Sequence, residues 1–210
     1  MKINRCRNCS KKKFQNLFSL GNLSFTGKFE KKNSSIPKGK IEIVICLNCK
    51  LVQLNRNFSL KYMYNKNYGY RTGINKTMLD HVKGVVKKLS KKEKLKKNEL
   101  VLDIASNDGS LLNFYNKGII TFGIDPILDK YIDKYKNINY KISDFFSAKK
   151  IITQTKKKFK IITALSVFYD AINPNRFIKD ARSLLSKDGI FLLEFADLAS
   201  IIENKMFDTI

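Results

Sequence analysis

The four cysteines of the chain fall as Cys6-Arg7-Asn8-Cys9 and Cys46-Leu47-Asn48-Cys49, two Cys-x-x-Cys pairs with 36 residues between them. A two-residue spacer lets one tight turn aim both sulfurs at a single ion, and two such turns complete a tetrahedron of thiolates. Four protein ligands leave no position for water, so the spacing predicts a structural zinc ion rather than a catalytic one. A redox dithiol needs one pair, not two. A secreted disulfide framework would follow a signal peptide, and Met1-Lys2-Ile3-Asn4-Arg5-Cys6 has no apolar signal core. So small a segment buries little surface by itself, so its fold is expected to depend on the metal. Residues 41–45 (Ile-Glu-Ile-Val-Ile) read as a strand entering the second pair, and Leu51-Val52-Gln53-Leu54 leads out of it. Pro37 and Gly39 punctuate the loop before that strand. The expected module is a zinc ribbon of two or three short strands over residues 1–61.

A different pattern starts near residue 98. Leu100-Val101-Leu102-Asp103-Ile104 is a short buried strand that breaks at the small, polar turn Ala105-Ser106-Asn107-Asp108-Gly109-Ser110. Leu111, Leu112, Phe114 and Tyr115 then read as the opening of a helix. Further strands are expected at 119–124, 140–142, 160–165 and 189–195. Alternation of this kind predicts an α/β, doubly wound parallel sheet over residues 98–210, with its ligand at the carboxyl ends of the strands. Asp125 closes the second strand, 22 positions after Asp103, where a carboxylate can accept both ribose hydroxyls of a nucleoside. Asp144 closes the third, placed to meet an adenine, and Phe145 can pack on that ring. With Asp103, Ala105, Ser106, Asn107, Asp108 and Gly109 these form the candidate cofactor site. Three acids disfavour a phosphate-rich ligand and suit S-adenosylmethionine (SAM), which carries a sulfonium and an amine. A nicotinamide dinucleotide would want a Gly-x-Gly-x-x-Gly turn, and this turn has one glycine and an added carboxylate.

Between these parts, residues 62–97 hold four tyrosines within nine positions, Tyr62, Tyr64, Tyr68 and Tyr70. Such a segment reads equally as a substrate-facing loop or as packing between domains. A helix is expected from Asn75 to about Leu89, with Met78, Val82, Val85, Val86 and Leu89 on one face. His81, the single histidine, is read as a packing or surface residue of that helix. The net charge of +23 comes mostly from lysines, as in Lys11-Lys12-Lys13, Lys91-Lys92 and Lys156-Lys157-Lys158. They are read as scattered, solvated surface in a composition that suits A- and T-rich codons, rather than as a nucleic-acid patch mixing arginine and aromatics. No apolar run approaches a membrane span. The expected protein is soluble and cytoplasmic, without membrane or nucleic-acid partners.

Taken together, these residues resemble the zinc-containing SAM-dependent C-methyltransferases that act on nucleotide-linked deoxysugars. The likeness runs from the first cysteine pair through Leu20-Gly21, Phe25-Thr26-Gly27-Lys28-Phe29 and Cys46-Leu47-Asn48-Cys49-Lys50-Leu51-Val52-Gln53-Leu54. It continues through Tyr68-Gly69-Tyr70-Arg71-Thr72-Gly73-Ile74-Asn75, Met78 and His81, then Leu102 to Leu112, Gly123-Ile124-Asp125-Pro126, Phe168-Tyr169-Asp170 and Asp188-Gly189-Ile190-Phe191. The resemblance implies a class I methyltransferase sheet, strands one to five of it. It implies transfer of a methyl group to a sugar carbon beside a keto group, with Tyr68, Tyr70 and Arg71 contacting the nucleotide-sugar. The family has glycine where this chain has Ala105, a methyl that is tolerable if φ there is negative. It also continues past the position of Ile210 into a His-Glu-His segment carrying the general base. The chain is thus expected to be an N-terminal fragment without that base, binding SAM weakly or not at all and inactive alone. An RNA methyltransferase with a zinc module, and a non-catalytic binding scaffold, are the competing readings.

Overall fold

The computed structural model describes residues 1–25 and 36–206. Residues 26–29 of the family likeness lie outside the described residues. The chain divides into two compact units, Met1–Gly69 with Asp170–Asn175, and Tyr70–Tyr169 with Arg176–Ile210. The expected middle segment 62–97 is not a body of its own: the division falls inside its tyrosine run.

The first unit is an antiparallel sheet of β1 (Phe14–Ser24), β2 (Lys38–Cys46) and β3 (Val52–Leu54), in the order β1-β2-β3. β2 and β3 occupy the two expected stretches, and Phe14 pairs with Cys46 and Ile45 with Val52 across the registers. β1 is longer than the short strand expected of a ribbon, and all but its first residue are exposed. Two irregularities in its pairing, between Asn16 and Phe18 and between Ser19 and Gly21, interrupt the regular alternation by which a strand is recognised in sequence. A short helix α1 (Leu60–Met63) closes this part. The Tyr64 phenol donates to Asp170 at 2.5 Å, and the Asn175 amide donates to the carbonyl of Asn8 at 2.7 Å. Burial raises the Asp170 carboxyl above its ordinary range against the pull of that phenol.

The second unit holds the long helix α2 (Lys76–Glu93), the strands β4 (Leu100–Ile104), β5 (Ile120–Ile124), β6 (Tyr140–Ile142), β7 (Phe159–Leu165) and β8 (Leu185–Glu194), and the helices α3 (Ala148–Ile152), α4 (Pro174–Leu184) and α5 (Leu198–Glu203). All five strands run parallel in the order β6-β5-β4-β7-β8. Alternation along the strands sends Leu100, Leu102, Ile104, Phe122 and Ile162 into one apolar layer, which Ile151 of α3 and Leu184 of α4 complete. Val101 and Ile161 point the other way, against Val82, Val86 and Leu89 of α2. α2 starts at an Asn75 cap that accepts the amide of Met78 at 3.2 Å, and it ends with Lys94 in the left-handed region. It therefore runs one turn past the expected end. Lys160 ties that end to the sheet through Glu93 at 3.1 Å and Asp188 at 2.7 Å.

Two expectations fail around the turn that follows β4. The residues after it do not open a full helix: only a 3-10 turn forms at Leu112–Phe114. Asn116 and Gly118, weak helix formers, end the turn before a helix can propagate. Ala105 does not have negative φ: it stands at +60°, followed by Asn107 at +51° and Gly109 at +75°. The Ala105 amide donates to Ile124 O at 2.9 Å, so pairing with β5 holds the residue where a glycine would sit unstrained. Gly123 permits this closeness, since a Cβ there would lie 2.9 Å from the Ser106 hydroxyl. Ala105→Gly is expected to stabilise the second unit by about 1 kcal/mol, read from urea unfolding. An unchanged or lower midpoint would contradict a strained Ala105.

Candidate functional site

The two cysteine turns are built alike. In the first, the Ser10 amide donates to Cys6 O at 3.0 Å and the Cys6 amide to Lys11 O at 2.8 Å. In the second, Lys50 donates to Cys46 O at 2.9 Å and Cys46 to Leu51 O at 2.9 Å. Each turn ends in a left-handed residue, Ser10 at +61° and Lys50 at +63°. The four sulfurs lie within 4.8 Å of one another, with Cys6 to Cys49 and Cys9 to Cys46 each at 3.6 Å. Tetrahedral zinc with bonds of about 2.3 Å asks for sulfur–sulfur separations of roughly 3.8 Å, so the set fits that ion. All four thiols are free of disulfides. Burial disfavours the Cys6 thiolate, but the amides of Cys9 and Asn8 and the Gln53 side chain outweigh it and bring the thiol down to about 6. The Gln53 amide donates to Cys6 Sγ at 3.2 Å and is itself fixed by the backbone and guanidinium of Arg7, both at 3.2 Å. Arg7 also donates to Leu54 O at 2.7 Å, Arg56 O at 3.0 Å and Asn57 Oδ1 at 2.6 Å. This bracket steadies the metal ligand from outside the cysteine pattern.

The second site lies at the carboxyl ends of β4 and β5. Asp103 is buried inside β4 and accepts the Thr163 hydroxyl at 2.6 Å. Burial pushes its carboxyl up to about 7, against the Thr163 bond and with the Asp125 charge adding to the rise. Asp125 accepts the amides of Ile127 at 2.8 Å and Asn107 at 2.9 Å. Burial lifts it to about 6 in spite of those two donors. Ser106 is pinned by the buried Tyr135 phenol at 2.8 Å, which also lies 2.8 Å from Asn107 O. Asp144 is half-exposed and paired with Lys150 at 2.5 Å, and Phe145 beside it is half-buried.

Five of the six amides in the turn 105–110 are spent inside the protein. Ala105 and Ser106 donate to Ile124 O, Asn107 to Asp125, Gly109 to Ser106 O and Ser110 to Asp108. A dinucleotide turn needs such amides for pyrophosphate. The arrangement offers carboxylates instead, which suits a cationic nucleoside.

Asp108 takes a position its sequence pattern does not announce. It is 1 % exposed, and its carboxylate binds Arg71 Nε and the Gly73 amide, each at 2.9 Å, and the Ser110 amide at 3.1 Å and hydroxyl at 2.6 Å. Asn107 accepts the Thr72 amide at 3.0 Å and donates to Tyr70 O at 3.3 Å. Residues 70–73 are thus strapped onto the turn, and a Cβ on Gly73 would fall 2.5 Å from Asp108 Oδ2. Of the three residues expected to touch substrate, Tyr68 belongs to the first unit and rests against Tyr64, ring centroids 5.0 Å apart. Tyr70 is 45 % exposed, and Arg71 lies 5.8 Å over the Tyr131 ring. His81 is an exposed residue of α2, as expected, and its Nε2 stands 2.7 Å from Glu194 Oε2, at the carboxyl end of β8. Sequence spacing held no sign of this pair, which is 113 residues apart.

Protein purified without chelators is expected to carry one zinc per chain by atomic emission, and Cys46→Ser to lose it together with the first unit's structure. Metal-free protein with an intact first unit would contradict the site. For the second unit, the native Asp103 carboxyl titrates near 7 while an unfolded aspartate titrates at 3.8. The native state then holds a proton that the unfolded chain has released between about pH 4 and 7, so this group costs stability as pH rises. Asp103→Asn, which keeps an acceptor for Thr163, is expected to gain on the wild type from about pH 5 to about pH 8 in urea midpoint. A constant difference would rule out a raised Asp103.

Residues 6–64 match the family model described as "Putative zinc binding domain", and residues 75–210 match the one described as "Methyltransferase domain". The chain is similar to the crystal structure of the plantazolicin methyltransferase BamL in complex with a triazolic desmethylPZN analog and SAH. The TM-score is 0.51 at 22 % identity, over 62 % of this chain and 51 % of that one. The plantazolicin methyltransferase BpumL, in complex with a pentazolic desmethylPZN analog and SAH, gives 0.47 at 17 %, over 60 % and 50 %. A S-adenosylmethionine-dependent methyltransferase from Clostridium acetobutylicum gives 0.48 at 14 %, over 60 % and 54 %. At these identities the likeness to BamL is one of fold. The chain spans about half the length of these structures. No curated protein matches it. No helix among the described residues is long and apolar enough to cross a membrane. The methyltransferase model covers well over half of the sequence, on the parallel sheet and acid-lined turn described above, and the chain belongs to that methyltransferase-domain family.

Proposed function

We propose that the second unit binds SAM and serves methyl transfer to a carbon of a nucleotide-linked keto-deoxysugar. The observation that carries the cofactor half is the pair of buried carboxylates, Asp103 and Asp125, set beside a turn with five of its six amides already spent. Bound SAM would supply an electrophilic methyl on a sulfonium. Asp125 keeps acceptor capacity for the ribose hydroxyls, since each of its oxygens takes one backbone donor. Asp144 and Phe145 are assigned to the adenine. Asp103, with Ala105, Ser106, Asn107 and Gly109 of the turn, is assigned to the methionine end; the Asp108 carboxylate, expected there too, is fully engaged by Arg71, Gly73 and Ser110 and holds the turn in shape instead.

The sugar half rests on the family resemblance carried by Tyr68, Tyr70 and Arg71. Arg71 commits Nε to Asp108, which leaves its two terminal nitrogens to meet a diphosphate. C-methylation beside a ketone begins with loss of an α-proton, and the resulting enolate takes the methyl group.

Calorimetry is expected to show one SAM, or one S-adenosylhomocysteine, per chain, and no heat with a nicotinamide dinucleotide. Asp125→Asn, checked for folding by near-ultraviolet circular dichroism, is expected to weaken binding about tenfold through loss of charge-assisted bonds. Addition of a nucleotide-linked keto-deoxysugar to the S-adenosylhomocysteine complex should give a second binding event. Silence with both adenosyl ligands at millimolar concentration would refute the cofactor reading, and silence with the sugar alone would refute the substrate.

A further inference from the structure

The lysines read in sequence as scattered surface are in part gathered by the fold. Lys83, Lys87, Lys91 and Lys94 descend one side of α2 and its cap, and Lys97 and Lys117 face the same hollow, whose volume is about 840 Å³. Val86, Leu95, Phe114 and Ile119 give it apolar lining, and Ser90 and Asn116 add polar groups. Lys83 Nζ lies 6.0 Å over the Phe114 ring. Among the described residues none of the six ammonium groups forms an ion pair, whereas Lys40, Lys134, Lys150 and Lys160 each have a carboxylate partner.

Like charges at i and i+4 oppose the helix that carries them, so this row does not serve the stability of α2. Successive lysines three or four residues apart are separated by about 5–6 Å along the axis, a step comparable with that between phosphates of an extended strand. The four on α2 and its cap span about 16 Å. A concave, partly apolar lining excludes a flat membrane surface as the natural fit. A groove that alternates cations with an aromatic face is how a single strand is held without sequence preference.

We propose that this hollow binds the phosphate backbone of a single-stranded nucleic acid, with a base resting on Phe114. The site is separate from the cofactor edge. Leu95 and Lys97 precede β4, and Lys117 and Ile119 precede β5, so the hollow lies at the amino ends of these strands. Asp103 and Asp125 lie toward the carboxyl ends. A strand held here is a tether or regulator of the protein rather than the methyl acceptor, and the inference stands apart from the sugar reading.

The test is fluorescence anisotropy of a labelled oligouridylate of about 20 nucleotides over a salt series. Six contacts predict a slope of log K on log salt near −4, at about −0.7 per phosphate neutralised. The triple variant Lys87→Glu, Lys91→Glu, Lys94→Glu should bind at least about tenfold more weakly near 100 mM salt, with a slope shallower by roughly 2. The triple variant Lys149→Glu, Lys156→Glu, Lys157→Glu changes net charge equally and should bind as the wild type does. Thermal melting of both triples confirms that they are folded. No binding by the wild type, or equal loss in the two triples, overturns the proposal in favour of diffuse charge. Displacement of the oligonucleotide by poly-glutamate at equal charge concentration overturns it in favour of an acidic protein partner.

Discussion

A buried carboxylate has to be neutralised or hydrogen-bonded, and Asp108 is the place where this requirement organises the methyltransferase unit. At 1 % exposure it cannot rely on water, so it draws in Arg71, the Gly73 amide and both donors of Ser110. Those bonds decide where residues 70–73 lie, and Asn75, two residues on, caps α2. Breaking the ion pair from one side would leave an uncompensated charge, an outcome that costs about 3–5 kcal/mol in typical buried pairs. The turn, the strap and the start of the helix are therefore one mechanical piece, built around an acid that the sequence offers as a ligand contact.

That piece explains the chemistry of the edge. Three left-handed residues, Ala105, Asn107 and Gly109, fold the turn tightly enough for its amides to be taken up by β5 and its flanking acids. Asp125 spends one acceptor site on each oxygen holding this shape, and Asp103 is held by Thr163. With both carboxyls raised into the neutral range by burial, a cation arriving at this edge would stabilise their charged forms. An acidic, amide-poor edge selects a cationic nucleoside against a pyrophosphate. The zinc module shows the same economy, with a neutral amide, Gln53, placed by Arg7 against the Cys6 sulfur.

Much of this was legible in the residues, and for local reasons. Two cysteines in one turn must point together, so the Cys-x-x-Cys pairs announced the metal site. Apolar runs at β4, β5 and β7 announced a buried parallel sheet, because strands covered on both faces have no polar side. What stayed hidden depends on contacts distant in sequence. Gln53 lies 47 residues from the sulfur it meets, and His81 lies 113 residues from Glu194. β1 was missed because it is exposed and irregular, leaving no alternation to read. The missing helix after the turn reflects the weak helix formers Asn116 and Gly118 before β5, and the positive φ at Ala105 reflects its pairing with Ile124 O, a contact distant in sequence. The lysines were legible singly, but only the packing of α2 beside the segment 114–119 brings six of them to one hollow.

The central claim is that the acid-lined edge is a nucleoside site for SAM chemistry. A crystal structure of the chain with S-adenosylhomocysteine tests it most directly. The account predicts the ribose hydroxyls on Asp125 and the amino-acid end against the turn 105–109. A ligand seated away from β4 and β5, or a ribose with no contact to Asp125, would contradict it.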